Sequence, residues 1–336
     1  MVHSHASKRI TLAAVARHAG VAESTASRVM NGYTRNFRVR PEVRQRVLDA
    51  ARELNYKPNP MVRSIAAKKT NLIAIIGQFS DEETTVAVQA AARVLIEDGK
   101  HVCTSFLDPD DDPFGIPSWR VDGAIAVRPN DPCDLETLVE QEIPCVAIEG
   151  APQLCDAACV DQRDAVRLAF EHLLERGHET TVYVEFDASG PRSVARRESY
   201  LSLCEQHRIT PTIQTFTDES GGAVRILRSL TRSGGVGVIA SSTPSAMRLL
   251  QSASELGIRT PDELSIVCLG ETEMTRLASP ALTCVRLPFQ EIGRSAARLL
   301  LDRIDSPDEP RHLAPRVEYF SGELVVRGTT SAPVAS

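Results

Sequence analysis

From residue 72 onward, short apolar runs alternate with stretches of helical periodicity, and this alternation restricts the fold more than any other feature of the chain. LIAIIGQF (72–79), HVCTSFL (101–107), GAIAV (123–127), CVAIEG (145–150), TVYVEF (181–186), VGVIAS (236–241) and LSIVCL (264–269) carry the continuous hydrophobicity of buried strands. Helical patterns lie between most of them, near 82–98, 134–142, 163–176, 192–207, 220–232 and 244–256. Strands alternating with helices form parallel sheets with right-handed crossovers. The number of units predicts an α/β fold with two doubly wound, parallel-sheet subdomains facing a cleft, and a ligand at the carboxyl ends of the strands. One crossover departs from the pattern. Between Leu107 and Trp119 the chain reads DPDDDPFGIPS, where Pro109, Pro113, Gly115 and Pro117 forbid the usual helix.

The first 70 residues follow another pattern. They hold 14 Lys and Arg against 4 Asp and Glu, while the remainder holds 24 against 40, so the net charge of -6 conceals a basic head on an acidic body. A polyanion partner for the head is one reading; a solvated basic face fits the count equally well. Leu12, Val15, Ala16 and Ala19 fall at helical spacing after Thr11, which can cap the helix. Gly20-Val21 breaks it, and Glu23 to Met30 resumes with Ala26, Val29 and Met30 on the apolar side. Asn31-Gly32 supplies a stop, and a third helix runs from Pro41 to about Leu54 on a stripe of Val43, Val47, Ala50 and Leu54. Two short helices around a Gly-containing turn make a helix-turn-helix candidate, with a plain helical bundle as the competing reading. In a helix-turn-helix the start of the second helix meets base edges. Here Glu23 could accept from a cytosine amine, Ser24 and Thr25 could donate or accept, and Arg28 could grip guanine, with Ser27 beside it.

The run AAVARHAGVAESTASRVMNG, followed by RPEVRQRVLDAARELNYKPNP, resembles the lactose/galactose repressor (LacI/GalR) family of bacterial transcriptional regulators. Ala14 and Ala22 depart from it, since the family usually has an acidic residue and a capping Ser there. The loop from Tyr33 to Arg38 is also longer than usual. MVRSIAA (61–67) matches the family's hinge helix, which pushes an apolar side chain, here Ile65, into the minor groove; a plain linker is the alternative. The resemblance continues through VDGAI (121–125), Val160-Asp161, HLLERGH (172–178), GIRTPDELS (257–265), PALTCV (280–285) and ELVVRG (323–328), about residues 10–330 in all. It implies a DNA-binding head at 9–57, a hinge helix and linker at 58–70, and a periplasmic-binding-protein-like effector and dimerisation core at 71–330. Thr11, Glu23, Ser24, Thr25, Ser27, Arg28, Asn31, Tyr56, Asn59 and Ile65 are the expected DNA residues. The implied partners are double-stranded operator DNA, a second copy of the chain and a small-molecule effector.

The pocket departs more than the scaffold. Sugar binders of the family usually have an Asp where Gly270 stands, with Glu271 next to it here, and Asn-Asp where Ser242-Thr243 stands. The family's Asn-Pro-Phe-Phe run is replaced by Gln78-Phe79-Ser80-Asp81. The family's pocket arginine is matched to Arg197, ahead of Glu198-Ser199-Tyr200, while Arg128 and Glu149 end strands beside the cleft. Two guanidiniums without the usual Asp suit a carboxylate or phosphate. Glu149 and Glu271 argue the other way, so a neutral ligand or none stays open, as does a structural salt bridge at each position.

Other chemistry has little support. Cys155 and Cys159 lack a second pair at zinc spacing, His172 and His178 form no HExxH, and no nucleophile–base pair stands out, so neither a metal, a cofactor nor an enzyme is expected. The eight cysteines are expected reduced. With no membrane-length apolar run and no signal-peptide core at MVHSHASKRI, the expected location is cytoplasmic, away from any membrane. The resulting expectation is an effector-controlled transcriptional regulator. The alternatives are a regulator whose degenerate pocket answers to a partner protein or to nothing, and a solute-binding receptor, which the basic head disfavours.

Overall fold

Elements are numbered in chain order over the residues that the computed structural model describes, 10–31, 39–56, 70–77, 81–106, 121–129, 135, 138, 140–150, 153–186, 191–216, 221–230, 236–306 and 315–333. Two compact units part between Asn71 and Leu72. Asn59, Ile65, the 33–38 loop and the 108–119 crossover lie outside the described residues.

The first unit is three helices, α1 (Leu12–His18), α2 (Glu23–Asn31) and α3 (Pro41–Glu53). Small side chains let these short helices approach: Val15, Ala16, Ala19, Ala26, Val29, Val47, Ala50 and Ala51 form the buried centre. Of the expected α3 stripe, Val47 and Ala50 are buried, Val43 and Leu54 are half-buried, and Ala51 joins them. Thr11 caps α1, its hydroxyl accepting from the Ala14 N–H at 3.3 Å. Gly20 takes φ +63 and lets the Val21 N–H return to the Ala16 carbonyl at 3.0 Å, which ends α1 and sets the turn. Asn55 does the same for α3 at φ +50, with the Tyr56 N–H on the Ala51 carbonyl at 2.8 Å.

The second unit holds two six-stranded sheets. The first has the order β11-β5-β4-β3-β1-β2 and is parallel throughout, from β1 (Leu72–Gly77), β2 (His101–Phe106), β3 (Gly123–Val127), β4 (Cys145–Ile148), β5 (Asp156–Val160) and β11 (Val317–Phe320). The second has the order β12-β10-β9-β8-β6-β7, from β6 (Thr181–Phe186), β7 (Ile213–Phe216), β8 (Val236–Ala240), β9 (Leu264–Leu269), β10 (Thr283–Arg286) and β12 (Glu323–Val325), with only β12 antiparallel. The helices are α4 (Glu82–Glu97), α5 (Gln162–Glu175), α6 (Pro191–His207), α7 (Gly222–Leu230), α8 (Thr243–Leu256), α9 (Glu273–Leu277) and α10 (Phe289–Asp305). The chain passes between the sheets after β5, after β10 and again between β11 and β12. α10 therefore packs back on the first sheet and against α4, where a Cβ at Gly293 would collide with the Ala87 carbonyl.

Long-range polar ties hold this arrangement. Buried Asp156 takes two 2.8 Å hydrogen bonds from Arg303 of α10 and a third from Arg316 at 3.1 Å. Burial opposes its charge, but these guanidiniums and the Arg316 N–H outweigh it and hold the carboxyl below its ordinary value. His172 and His178 pin the last segment, meeting the Thr330 hydroxyl at 3.0 Å and the Ser331 carbonyl at 3.1 Å. The seven described cysteines form no disulfide.

Candidate nucleic-acid interface and ligand cleft

On α2 the burial repeats with the helical period. Ala26 and Val29 face the small core, Thr25, Ser27 and Met30 are half-buried, and Ala22, Glu23, Ser24 and Arg28 are exposed. Glu23, Ser24 and Arg28 thus present a carboxylate, a hydroxyl and a guanidinium from one short helix, a set that can read base edges in a major groove. Thr11 is exposed but caps α1, and Tyr56 is half-buried against the core. Arg17, Arg40, Arg44, Arg46 and Arg52 are exposed around this unit and suit phosphate contacts. Ala22, at the start of α2, accepts the first helical hydrogen bonds through its carbonyl but has no side chain to cap the helix.

In the second unit the carboxyl ends of the strands carry unusual backbone. Arg128, after β3, and Glu149, after β4, have φ +49 and +59, a left-handed conformation that costs a non-glycine residue roughly 1–3 kcal/mol. The sheet holds them there, since the Arg128 N–H still bonds the Ile148 carbonyl at 2.8 Å and the Glu149 N–H the Ala158 carbonyl at 3.1 Å. Buried Glu149 accepts from the Val160 N–H and from the Gln162 amide at 2.9 Å. The Gln162 oxygen accepts from Arg196 Nε at 2.6 Å, and Arg196 Nη1 donates to the Ser241 carbonyl. One polar chain therefore runs from the first sheet to the second.

Beside it, Asp81 caps α4, accepting from the Thr84 N–H at 2.8 Å, and takes a hydrogen bond from Arg128 Nη1. Burial works against the Asp81 charge, but Arg128 and Thr84 keep its pKa low. Glu83 lies 3.7 Å from Arg128 Nη2 and reaches over Gly270, where a Cβ would stand 2.5 Å from its carboxylate. Burial pushes the Glu83 carboxyl up to about 7 despite the pull of Arg128, Arg196 and Arg192. Burial, together with repulsion from Arg196 and Arg128, brings Arg192 down to about 10. The Arg128 guanidinium stands 5.7 Å over the Phe289 ring.

Of the expected cleft residues, Arg128, Glu149 and Gly270 come together here. Arg197 does not join them. One residue turns a helix by about 100°, so Arg196 enters the cleft, only 3% exposed, while Arg197 pairs with Glu185. Glu271 is corrected too: it is locked between Arg286 and Arg327, which outweigh the opposing effect of burial and keep its pKa low. The Ser242 hydroxyl is engaged in capping α8 with Ser245, and Thr243 is buried at the first turn of that helix. Glu83, Arg192 and Arg196 were missed. The spacing of Arg192 and Arg196, four apart on a predicted helix, could have pointed to them.

Comparison with known proteins agrees with this layout. Residues 11–59 match the family "Bacterial regulatory proteins, lacI family", and residues 170–330 match "Periplasmic binding protein-like domain". Catabolite control protein A of Staphylococcus xylosus is 26% identical, over 96% of this chain and 99% of its own length. The repressor CytR of Escherichia coli is 28% identical, over 96% of each. Among solved structures, a lac repressor dimer bound to operator and the anti-inducer ONPF superposes with a TM-score of 0.81 at 22% identity, covering 97% of this chain and all of that one. The regulator CelR in complex with cellobiose gives 0.65 at 24%, covering 96% and 100%.

Proposed function

We infer that this chain belongs to the LacI family of bacterial regulatory proteins, and that the effector of this DNA-binding transcriptional regulator is a small anion held in the core cleft. The observation that carries this reading is an excess of buried donors. Among the described residues, Arg196 Nη2 and Arg128 Nε and Nη2 are buried without a hydrogen-bond partner. Buried guanidinium N–H groups are costly when unsatisfied, so they favour a ligand that brings several acceptor oxygens and negative charge. Arg192 adds a third guanidinium to the same region.

In the same reading, residues 9–57 form the DNA-binding head, 58–70 the hinge and 71–330 the core. α2 is the recognition helix, with Ser24 and Arg28 nearest the bases. The regulator works as a homodimer on a pseudo-palindromic operator. The exposed Met274 and Leu277 of α9 offer apolar surface for a second copy. Among the described residues, no helix is long and apolar enough to cross a membrane.

The test is calorimetric titration with matched ligands, a sugar acid or sugar phosphate against its neutral parent sugar. The anion should bind tighter, and Arg196→Ala should weaken it about 10- to 100-fold while leaving the parent sugar little changed. Tighter binding of the parent sugar, or an Arg196→Ala protein that holds the anion as well as the wild type, would sink the reading.

A further inference from the structure

We propose that Glu83 sets the specificity of the cleft and that the ligand is a hydroxy acid, whose acid group takes the free nitrogens of Arg128 and Arg196 and whose hydroxyl donates to Glu83. The inference rests on the anionic-effector reading above and adds to it the second half of the ligand.

The other cleft carboxylates are already occupied. Asp81 holds the start of α4 and Arg128, and Glu149 holds the Val160 N–H and Gln162. Glu82, next in the chain, turns away to accept from the Glu273 N–H at 3.0 Å, with Arg276 4.0 Å off. Among the described residues Glu83 makes no hydrogen bond, and its nearest charge, Arg128 Nη2, stands beyond hydrogen-bonding distance at 3.7 Å. Its side chain keeps 17% of its surface exposed, so a ligand can reach it. The space it fills exists because residue 270 is glycine; any side chain there would meet the carboxylate.

The groups around Glu83 define what can sit beside it. Asp81 faces it from the start of its own helix, Arg128 from the end of β3, Arg192 and Arg196 from α6, and Cys268 from β9. With its pKa near 7, Glu83 is charged in mildly alkaline solution and can only accept hydrogen bonds. A simple carboxylate satisfies the guanidiniums but sets a second acceptor against Glu83. A neutral polyol offers donors to Glu83 but meets the unsatisfied Arg128 and Arg196 nitrogens with neutral oxygens only, forgoing the stronger charge-assisted hydrogen bonds of an acid group. A hydroxy acid satisfies both. A site built to bind a hydroxyl rejects the analogue that lacks it, because its own polar group is then left bare.

The experiment is calorimetry on the full chain at about pH 8, where Glu83 is charged. The probes are hydroxy acids with their deoxy partners: gluconate and hexanoate, glycerate and propionate, malate and succinate, citrate and tricarballylate. At least one hydroxy acid should bind about tenfold or more tighter than its partner. Glu83→Ala should bring that pair to within about threefold while keeping the deoxy acid's own affinity or improving it, and the isosteric Glu83→Gln, which keeps an acceptor oxygen, should fall between. Lowering the pH to about 6 puts a proton on Glu83 that it can donate, so the deoxy acid should tighten and the preference narrow. Equal binding of both partners in every pair that binds, or a preference that survives Glu83→Ala, overturns the role of Glu83 and leaves the anionic reading standing. Binding of gluconate's parent sugar, glucose, with none of the acids overturns the anionic reading itself, and a panel in which nothing binds overturns both.

Discussion

The two units assemble their working residues in opposite ways. In the head, Glu23, Ser24 and Arg28 lie within six positions on one helix, so local periodicity suffices to put them on one exposed face. In the core, Asp81, Glu83, Arg128, Glu149, Gln162, Arg196 and Gly270 come from six separate stretches of chain, and the fold alone brings them together. A head of this kind can keep its chemistry while its surroundings vary. The cleft depends on every crossover and polar tie that aligns the two sheets.

The largest expected effect tests that dependence. Asp156→Ala removes the acceptor that gathers Arg303 and Arg316 from 147 and 160 positions away. Breaking a buried ion pair costs about 3–5 kcal/mol, and because Arg316 is partly exposed and can turn to water, about 3 kcal/mol is expected. Hydrogen-exchange mass spectrometry in a urea series reads the units separately. Protection should drop in the core and hold in the head, whereas an equal drop in both would show that the two units do not unfold independently. The pH dependence has a definite sign. The Asp156 pKa is depressed in the folded chain, so its stabilisation is complete above the unfolded value near 4 and is lost as the pH falls through the lower folded value. In acid, Asp156→Ala and the wild type should therefore converge.

The next effect belongs to the head. Arg28→Ala should relax base preference by about 1–3 kcal/mol at the position Arg28 contacts. Arg44→Ala should weaken all sequences alike and flatten the salt dependence by about one unit of slope. Selection from a random duplex library separates the two. Identical enriched sites from Arg28→Ala and wild type would remove α2 from base reading.

The same contrast explains what could be read in the sequence. GAIAV, TVYVEF and LSIVCL marked out β3, β6 and β9 to the residue, because strands covered on both faces are mostly apolar, with Thr181, Glu185 and Ser265 as buried exceptions here. DAACV became β5 unannounced: its alanines are too small to stand out, and its buried Asp156 disguises a core strand. IQTF and VEYF, the edge strands β7 and β11, carry polar residues along with their apolar ones and were passed over as well. In the cleft, the strand-end residues Arg128 and Glu149 were legible because the ends of parallel strands are the expected site. Glu83 was not, since it reads as an ordinary acidic residue in a helix's first turn, and only the fold brings it over Gly270. Between Arg196 and Arg197, which adjoin in sequence, only the direction each takes from the helix decides, and the pattern match fell one position late.

The smallest effect concerns helix starts. In the core, Asp81, Asp161 and Ser242 each cap a helix with a side-chain oxygen, accepting from the N–H of Thr84, of Arg163 and Asp164, and of Ser245. In the head, Thr11 caps α1, but Ala22, just before α2, offers the Thr25 N–H only its carbonyl. Ala22→Ser places a hydroxyl at the position where capping serines act and should stabilise the head by about 0.5–1 kcal/mol. The head has only a small alanine-rich centre to resist unfolding, so this gain should be visible as slower exchange of the α2 and α3 amides, with the core unchanged. Because residue 22 is exposed, a new side chain meets no packing penalty that would offset the cap. If Ala22→Ser leaves exchange in the head unaltered, the first turn of α2 is held by something other than its own cap, and the head does not stand on its local contacts alone.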